Sequence, residues 1–490
     1  MADEKCDEKK FTPFYRQLLA VSGVVMFMTG TGTNLAYPAI LLQQLRLPDS
    51  AFHLGAEVES WFASILGLAL IAGILTAPVC LQRLGRKLTN LLSTLPILGG
   101  WALLIAARGP TALLISRFMQ GYGMGIQAAS APVTIAEYTS PKYRGAFLAT
   151  IAFSFSAGML AAHIFGTFLY WRPAALACTS FYIASLILIS ISPETPPYLA
   201  TKGRYIQCRK SFHWLRGYDI DSERELDILI KTQKDIANQI PSTAPRLRVL
   251  MGIAKKPEFF KPALIMIFMF VLFQMSGMTV IPSYTVPIMD EVTNKSIDSN
   301  LSMLIVDIVR FLSAILACIV VNKYKRRAVL FTGITITSVS LLIAAMLLYL
   351  RDFGYLPPKY NWLPMVPTLV YILGQTLGIL PIPWAIAGEI YPLSYRSLGS
   401  GISGMTLSLM FFVVVKTAPA LISKIGLNGT FCVYAIGVVI CGGVLYYLLP
   451  ETKGKTLYEI ECHFRGDTDE RPTALSEKEE MLELENIESR

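Results

Sequence analysis

The sequence predicts an all-α membrane protein with twelve transmembrane helices arranged in two parallel six-helix halves. The chain has 490 residues, of which 53% are hydrophobic and only 16% are charged, and its mean hydropathy is +0.50. Soluble chains carry about 25% charged residues, so this composition argues against an ordinary soluble enzyme. The net charge of +9 is compatible with a nucleic-acid-binding surface, and the positions of the charges decide whether the chain has one.

Long runs without Asp, Glu, Lys or Arg predict the individual spans. A helix needs about 20 apolar residues to cross a bilayer, and eleven charge-free runs of at least 19 residues satisfy this length. They cover residues 17–45, 60–82, 88–107, 118–136, 145–171, 173–193, 262–289, 328–350, 360–388, 397–415 and 425–450. A twelfth span, 301–321, has the right length but is interrupted by Asp307 and Arg310.

The even number of spans predicts that both termini lie on the same side of the membrane. The charged start of the chain does not resemble a cleaved signal peptide, so we expect the N-terminus in the cytosol. In that orientation 33 of the 43 Lys and Arg lie in cytosolic segments and 7 in outer loops. The net charge is therefore explained by topology, and we expect no nucleic-acid partner. Three candidate glycosylation triplets, beginning at Asn294, Asn300 and Asn428, lie on the predicted outer side.

These spans divide the chain into five segments. They are a cytosolic tail (1–16), an N-terminal six-helix bundle (17–192), a cytosolic linker (193–261), a C-terminal six-helix bundle (262–450) and a second cytosolic tail (451–490). The linker contains Leu226, Leu229 and Ile230 at helical spacing among charged residues, which predicts amphipathic helices lying under the membrane domain.

Short motifs recur in the two halves in the same order. The triplet Pro-Glu-Thr closes span 6 at residue 193 and span 12 at residue 450. A Glu and an Arg seven residues apart follow spans 4 and 10, and basic pairs follow spans 2 and 8. The repeated charged residues are Arg86, Glu137 and Arg144 in the first half and Arg326, Glu389 and Arg396 in the second. Six spans per half is an even number, so the repeats run parallel, as in transporters that hold substrate between two halves near the midplane.

The cysteines and histidines suggest neither a metal site nor an enzyme. The eight Cys and four His are scattered, and no CxxC spacing occurs. We find no nucleophile–base constellation and no phosphate-binding loop, so we expect no enzymatic activity and no cofactor or metal.

Several motifs resemble those of the sugar porter family of the major facilitator superfamily, over about 17–462. The family's PxxxxE…RG corresponds to Pro132, Glu137 and Arg144-Gly145, and PETPPYL (193–199) resembles its PESPRWL. Other matches are Gln274, Ser276-Gly277 and Tyr284 in span 7, Pro381-Ile382-Pro383-Trp384 in span 10, and PETKGKTLYEI (450–460). The stretch EVESWFAS (57–64) is similar to the corresponding stretch of insect facilitated trehalose transporters and their hexose-carrying relatives.

This resemblance implies a major facilitator fold, alternating access and roles for particular residues. The substrate-binding residues that it implies are Gln274, Thr279, Tyr284, Arg310 and Trp384. The inner gate that it implies consists of Arg86, Glu137, Arg144, Arg326, Glu389 and Arg396, whose opposite charges hold the two halves together when the outer side is open. Breaks in spans 7 and 10, at Gly277, Pro282 and the two prolines before Trp384, point to a site that closes on substrate.

The chain departs from the family where sugar hydroxyls are usually bound by amides. The expected amide positions are occupied by Ala152, Phe273, Thr279, Arg310 and Leu407-Ser408, and only Gln274 is retained. The position in span 1 that carries Asp in proton-coupled members is assigned to Gly32, which favours uniport over proton symport.

Asp307 and Arg310 are the sharpest anomaly, because charges within a span are costly. They lie three residues apart and share a helix face. One interpretation is a self-neutralising structural pair, and the other is that Arg310 faces an anionic or strongly polar substrate.

Three functions remain open on the sequence. The first is a monomeric facilitative plasma-membrane carrier of a sugar, trehalose or a hexose. The second is the same fold carrying a different, anionic small solute through Arg310. The third is a non-transporting receptor that resembles sugar porters.

Overall fold

The computed structural model describes residues 2–48, 50, 52–238, 256–391, 396–453, 460 and 463–464. Spans 1 to 6 are the helices Ala2–Leu45, Ala56–Arg83, Arg86–Ala106, Pro110–Tyr138, Pro141–Phe168 and Trp171–Ile191. Spans 8 and 9 are Ser299–Lys323 and Arg326–Asp352. The last helix, Arg396–Leu448, contains spans 11 and 12, because the backbone of Gly426 (φ +72°) breaks it in two.

All twelve predicted spans are helical, although length and composition alone identify ten candidates among the described residues. Two reasons account for the difference. Spans 11 and 12 are counted together as one apolar stretch, 398–448. Span 4 is long enough but carries Arg117, Gln120, Gln127 and Glu137, which lower its hydropathy. The prediction of an all-α fold with twelve transmembrane helices is confirmed.

Spans 7 and 10 are discontinuous. Span 7 consists of Pro257–Met275 and Val280–Thr293, separated by a short irregular segment. Span 10 consists of Met365–Gly374, a π-helical turn Gln375–Ile379 and Pro381–Glu389. Such π-helical turns occur frequently at functional sites. The break in span 7 includes Gly277, as the sequence predicts, but it precedes Pro282, which lies inside the second helical segment. The π-helical turn of span 10 ends just before Pro381, so it lies N-terminal to both predicted prolines.

Within the N-terminal half, spans 2 and 4 are in close contact because glycines leave no side chain between them. A Cβ added to Gly125 would lie 2.3 Å from the carbonyl oxygen of Leu70, and one added to Gly73 would lie 2.2 Å from that of Tyr122. The alternating glycines of span 4 therefore serve helix packing.

The two halves meet along three pairs of helices. Span 5 packs against span 8, span 2 against span 11, and span 1 against the second segment of span 7. We call the side of the membrane that carries both termini the inner side, and the opposite side the outer side. Three linker helices, Pro196–Thr201, Tyr205–Arg216 and Ile220–Asn238, follow span 6, and Leu226 and Ile230 are buried among them. Residues 239–255 of the linker and 465–490 of the C-terminal tail lie outside the described residues.

Candidate transport site and gates

The break in span 7 is held by two side chains of span 10. Gly277 has φ +76°, and a Cβ added there would lie 2.6 Å from the hydroxyl of Tyr371. That hydroxyl donates to the carbonyl of Ser276. The Gln375 amide, at the start of the π-helical turn, donates to the same carbonyl and, at 2.9 Å, to the Ser276 hydroxyl. The irregular backbone is thus satisfied by protein groups, as the interior of a membrane requires.

Three of the residues that the sequence assigns to substrate binding lie near this break. The Thr279 hydroxyl donates to the Gln274 side-chain carbonyl at 2.7 Å, and the Gln274 amide donates to the Leu407 carbonyl at 3.3 Å. Trp384 packs edge-on against Phe270 of span 7, with ring centroids 5.4 Å apart. Its indole remains 44% exposed, so one face is available to a ligand or to lipid.

Several buried polar atoms around the same break have no hydrogen-bond partner among the described residues. They are Nε and Nη2 of Arg310, the side-chain carbonyl of Gln375 and the hydroxyl of Tyr434. Tyr434 lies beside Gly277, and Tyr371 interacts electrostatically with Arg310. Unsatisfied buried polar groups are costly, so each of these atoms is suited to bind a polar ligand or water.

Asp307 and Arg310 form an ion pair that is joined by a histidine from the other half. Arg310 Nη1 donates to Asp307 Oδ1 at 2.9 Å, and all three side chains are fully buried. The second carboxylate oxygen of Asp307 contacts Nδ1 of His163, from span 5. Because a carboxylate only accepts, Nδ1 carries the hydrogen of this bond. The charged pair of the C-terminal half is therefore tied to the N-terminal half.

A second buried cation, Arg117 of span 4, lies within the N-terminal half. Its Nη1 donates to the backbone and side-chain oxygens of Asn34, each at 3.0 Å, and to Gln120 at 3.1 Å. The Asn34 amide donates to Tyr182 at 3.1 Å. Asn34 is thus the span 1 residue that accepts from this arginine. Gly32, at the position that the sequence assigns to the Asp of proton-coupled members, packs against the backbone of Phe155 and Gly158 in span 5.

The outer side is closed by contacts between the halves. The Ser60 hydroxyl donates to the Lys416 carbonyl at 3.0 Å, and the Lys416 ammonium lies 4.3 Å from the centroid of the Trp61 ring. Tyr284, assigned by sequence to substrate binding, is buried at this level and donates to the Val415 carbonyl at 3.5 Å. It interacts electrostatically with Glu59 across the interface. In this conformation Tyr284 belongs to the outer closure.

At the inner side, equivalent ion pairs occur in the two halves. Arg86 Nη2 lies 2.6 Å from Glu137 Oε1 in the first half, and Arg326 Nη2 lies 3.0 Å from Glu389 Oε1 in the second. Each pair joins helices of the same half. Among the side chains that the structure describes here, no ion pair joins the two halves, as expected when the outer side is closed. Arg144 Nε has no hydrogen-bond partner in that part of the chain, and the side chain of Arg396 lies outside it.

The repeated Pro-Glu-Thr triplets place a carboxylate at the start of a helix in each half. Glu194 accepts from the backbone N–H of Arg86 at 3.0 Å and of Lys87 at 3.1 Å, and Glu451 accepts from those of Arg326 at 3.0 Å and Arg327 at 3.1 Å. A carboxylate at a helix N-terminus satisfies free donors and the helix dipole. Burial raises the pKa of Glu194, although these backbone donors act in the opposite direction.

The three glycosylation candidates differ in accessibility. Asn294 ends the second segment of span 7 with a left-handed backbone and is exposed. Asn300 and Asn428 are only partly exposed, and the hydroxyl residues of their triplets, Ser302 and Thr430, are buried. Asn294 is thus the most accessible of the three.

Sequence reasoning missed His163, Asn34, Gln375 and Tyr434. His163 lies in a charge-free run, and its position within a membrane span was the available signal. The other three are neutral, so nothing in the charge pattern distinguishes them from packing residues.

Comparisons with known proteins agree with this architecture. The family model for sugar (and other) transporters matches residues 17–464. Facilitated trehalose transporter Tret1 of Apis mellifera ligustica is 31% identical over 92% of this chain and 88% of its own length. Tret1 of Aedes aegypti is 29% identical over 92% of this chain, which spans only 55% of that longer protein.

Solved structures show the same fold. The partially occluded inward-open conformation of the xylose transporter XylE from E. coli has a TM-score of 0.71 at 18% identity, covering 91% of this chain and 99% of that one. XylE bound to 6-bromo-6-deoxy-D-glucose has a TM-score of 0.69, also at 18% identity, covering 93% and 100%.

Twelve spans in two halves, with a polar zone at the broken helices, define a multi-pass membrane protein with the major facilitator fold. The chain belongs to the family of sugar (and other) transporters.

Proposed function

We propose that this protein is a facilitative carrier of trehalose or a hexose in the plasma membrane, working by alternating access as a monomer with cytosolic termini. The observation that carries the proposal is the set of buried polar atoms on Arg310, Gln375 and Tyr434 that have no hydrogen-bond partner in the part of the chain that the structure describes. A sugar's hydroxyls both donate and accept, so they suit such a mixed set of groups. The named activity of the Tret1 relatives favours trehalose as the first substrate to test.

Residue roles follow from this proposal. Gln274, Thr279, Gln375 and Arg310 contact the hydroxyls of the sugar, and Trp384 offers an aromatic face to its C–H surface. Tyr284 closes over the site from the outer side. The six charged residues of the inner gate exchange the observed pairs within each half for contacts between halves when the outer side opens.

Uniport is supported by the environment of Arg117. Its hydrogen-bond acceptors among the described residues are Asn34, Gln120 and the Phe62 carbonyl, which do not bind protons in the physiological range. A cation paired with neutral groups provides no site at which a proton could be taken up and released with each sugar.

The anion-carrier alternative rests on Nε and Nη2 of Arg310, which have no hydrogen-bond partner among the described residues. Asp307 offsets the charge of this arginine at 2.9 Å, so an anion would meet a neutral pair rather than an isolated cation. We therefore favour a neutral, polyhydroxylated substrate.

Uptake by purified protein in liposomes tests the proposal, with trehalose, hexoses, polyols and organic anions compared at equal concentration. We expect equilibration of trehalose or a hexose, no accumulation driven by a pH gradient, and no competition by anions. Trp384→Ala tests the contribution of the aromatic face separately, because it removes that face without altering a buried polar group. Uptake of an anion alone would support the alternative carrier. Binding of sugar without uptake would support a receptor.

The double variant Asp307→Asn/Arg310→Asn separates the two interpretations of the charged pair. It removes both charges and leaves neither unpaired, which avoids the penalty of a lone buried charge. Unchanged preference for sugar would assign the pair a structural role.

A further inference from the structure

A basic pocket lies on the inner side of the N-terminal half, where the linker meets the membrane domain. Its volume is about 510 Å³, within the usual range of small-molecule sites. The walls come from the turn between spans 2 and 3, the end of span 6, and the linker helices Pro196–Thr201 and Tyr205–Arg216. The Tyr198 hydroxyl donates to the Arg83 carbonyl at 2.9 Å, which joins the first linker helix to that turn.

Three cations line this pocket, and none of them has an ion pair among the described residues. They are Arg83, Arg204 and Lys210, and all three are exposed. Arg209 and Arg216, on the same linker helix as Lys210, differ from them because they pair with carboxylates of the third linker helix. The pocket therefore retains positive charges that the described part of the chain does not neutralise.

Glu194 is the one carboxylate among the described residues that line the pocket. Its Oε1 already accepts from the backbone N–H groups of Arg86 and Lys87, at 3.0 and 3.1 Å, so it is engaged at the start of span 3. Three cations against one carboxylate leave the pocket with a net positive charge. Guanidinium and ammonium groups donate strongly to phosphate oxygens, so a phosphate is a ligand that suits this lining.

The pocket is continuous with a lipid-facing surface of span 3. Leu88, in the first turn of that helix, lines the pocket and is exposed. Leu92 and Leu95 follow it at helical spacing and are also exposed, so these three side chains form an apolar stripe. Trp214 and Tyr198 add aromatic surface to the pocket, as is common at a membrane interface. A molecule that places phosphate in the pocket and apolar chains along this stripe is a phospholipid.

We propose that this pocket binds the phosphate-bearing headgroup of an anionic phospholipid of the inner leaflet, whose acyl chains lie along span 3. Arg83 reaches the phosphate from the membrane domain, and Arg204 and Lys210 reach it from the linker, so the lipid fastens the linker to the N-terminal half. Basic pockets on the cytosolic side of membrane proteins recognise the anionic headgroups of that leaflet. The site goes beyond the proposed function and relies on it only for placing the inner side in the cytosol.

Binding of a short-chain lipid to the purified full-length protein in neutral detergent tests the site. The probe is dioctanoyl phosphatidylinositol 4-phosphate, followed by thermophoresis at constant ionic strength, because salt weakens electrostatic binding. Dioctanoyl phosphatidylcholine has the same chains on a neutral headgroup, and glycerophosphoinositol 4-phosphate is the same headgroup without acyl chains. We expect the anionic lipid to bind about tenfold or more tightly than either, because the site uses both phosphate and chains.

The triple variant Arg83→Gln/Arg204→Gln/Lys210→Gln removes the three cations of the pocket. From the usual contribution of each Lys or Arg near an anionic lipid surface, we expect this variant to bind the anionic lipid about 100-fold more weakly than wild type. The matched control removes three exposed cations of the inner side that lie outside the pocket, in Lys231→Gln/Lys323→Gln/Lys325→Gln. Its affinity for the anionic lipid should stay close to that of wild type.

Undiminished affinity in the pocket variant, or equal weakening in the two triple variants, would overturn the proposal, because the lipid would then respond only to overall charge. Binding of the soluble headgroup as tightly as the lipid would assign the pocket to a soluble phosphate compound instead. Equal binding of phosphatidylcholine and the anionic lipid to wild type would overturn the proposal even if the pocket variant failed to fold.

The outcome is separable from that of the transport proposal, because no sugar is present in the binding assay. Selective binding of the anionic lipid by a protein that takes up no sugar would retain the lipid site and refute the carrier. Normal sugar equilibration by a protein without lipid selectivity would retain the carrier and refute the lipid site.

Discussion

Arg117 and Asn34 form a buried pair in which one guanidinium nitrogen reaches two oxygens of one residue, each at 3.0 Å. The arginine is 1% exposed and the asparagine is fully buried. A buried cation is tolerated when its donors are satisfied, so the Asn34 side chain stabilises both span 4 and the junction with span 1.

Asn34→Ala should lower the thermal stability of the purified protein. It removes the side-chain acceptor of Arg117 and the donor to Tyr182, and hydrogen bonds to charged groups contribute about 1.5–3 kcal/mol. Melting in detergent, followed by a thiol-reactive dye, measures the change. Asn34→Asp is the matched control, because it retains an acceptor of the same shape and should melt at or above the wild-type temperature. Equal losses in the two variants would contradict this account.

Gln375→Leu should reduce the maximal rate of sugar uptake about tenfold or more, with a smaller effect on expression. The Gln375 amide donates to both oxygens of Ser276 at the break in span 7. Leu of similar size leaves those acceptors with fewer donors and releases the irregular backbone. Initial uptake rates in liposomes over a range of sugar concentrations measure the effect.

Thr335→Leu serves as the comparison for Gln375→Leu. Thr335 is an exposed residue of span 9 whose hydroxyl donates to the Phe331 carbonyl of its own helix. Its replacement should leave uptake unchanged. A loss of rate in Thr335→Leu as large as that in Gln375→Leu would point to general damage rather than to the break.

Glu194→Gln should become more stable relative to wild type as the pH rises. Burial raises the pKa of Glu194 above its ordinary value, so the native state holds the proton more tightly than the unfolded chain does. The resulting stability is present below the ordinary pKa and is lost as the pH rises through the raised one. The amide of the Glu194→Gln variant does not titrate, so the variant escapes this loss.

Melting temperatures of wild type and Glu194→Gln between pH 4.5 and pH 7.5 measure the pH effect. Ser211→Ala is the control, since its hydroxyl donates to the Glu194 backbone carbonyl at 2.5 Å and carries no ionisable group. The melting difference of Ser211→Ala from wild type should not depend on pH. A constant difference for Glu194→Gln as well would refute the raised pKa.

A double-mutant cycle on Arg86 and Glu137 should give a coupling energy of about 1 kcal/mol or more. The two groups are largely buried, with 19% and 15% of their side-chain surfaces exposed, so solvent screens them less than a surface pair. Arg86→Gln, Glu137→Gln and the double variant provide the cycle. The equivalent cycle on Arg326 and Glu389, whose carboxylate is 31% exposed, should give a smaller value. Additive effects in both cycles would show that neither ion pair stabilises its half.

The charge pattern predicts much of this fold because membrane helices must be apolar for a fixed length. Charged residues within a span, such as Asp307 and Arg310, stand out in the sequence for the same reason. The partner of Asp307 was not predictable in this way. His163 lies in a run without Asp, Glu, Lys or Arg, and its distance from Asp307 in sequence, 144 residues, is bridged only when spans 5 and 8 pack. Asn34 and Gln375 were missed because a buried amide looks like any other polar residue until its neighbours are known.

Tyr284 illustrates a second limit, which concerns conformational state. The sequence assigns it to substrate binding, and the structure finds it in the outer closure near Val415. A residue on a helix that moves during transport makes different contacts in different conformations. A sequence motif therefore does not determine which contacts Tyr284 makes in each conformation.

Trehalose counterflow tests the central claim, that this chain is an alternating-access sugar carrier, most directly. Liposomes containing the protein are loaded with unlabelled trehalose and diluted into a trace of labelled trehalose, without any ion gradient. We predict that labelled trehalose accumulates transiently inside the liposomes. An alternating-access carrier that carries unlabelled trehalose out can return with labelled trehalose, so the two sugars are exchanged across the membrane. The same experiment is repeated with unlabelled glucose inside and labelled glucose outside. Accumulation of label in that case identifies a hexose carrier. Absence of accumulation with both sugars, in liposomes that contain folded protein, would contradict the account.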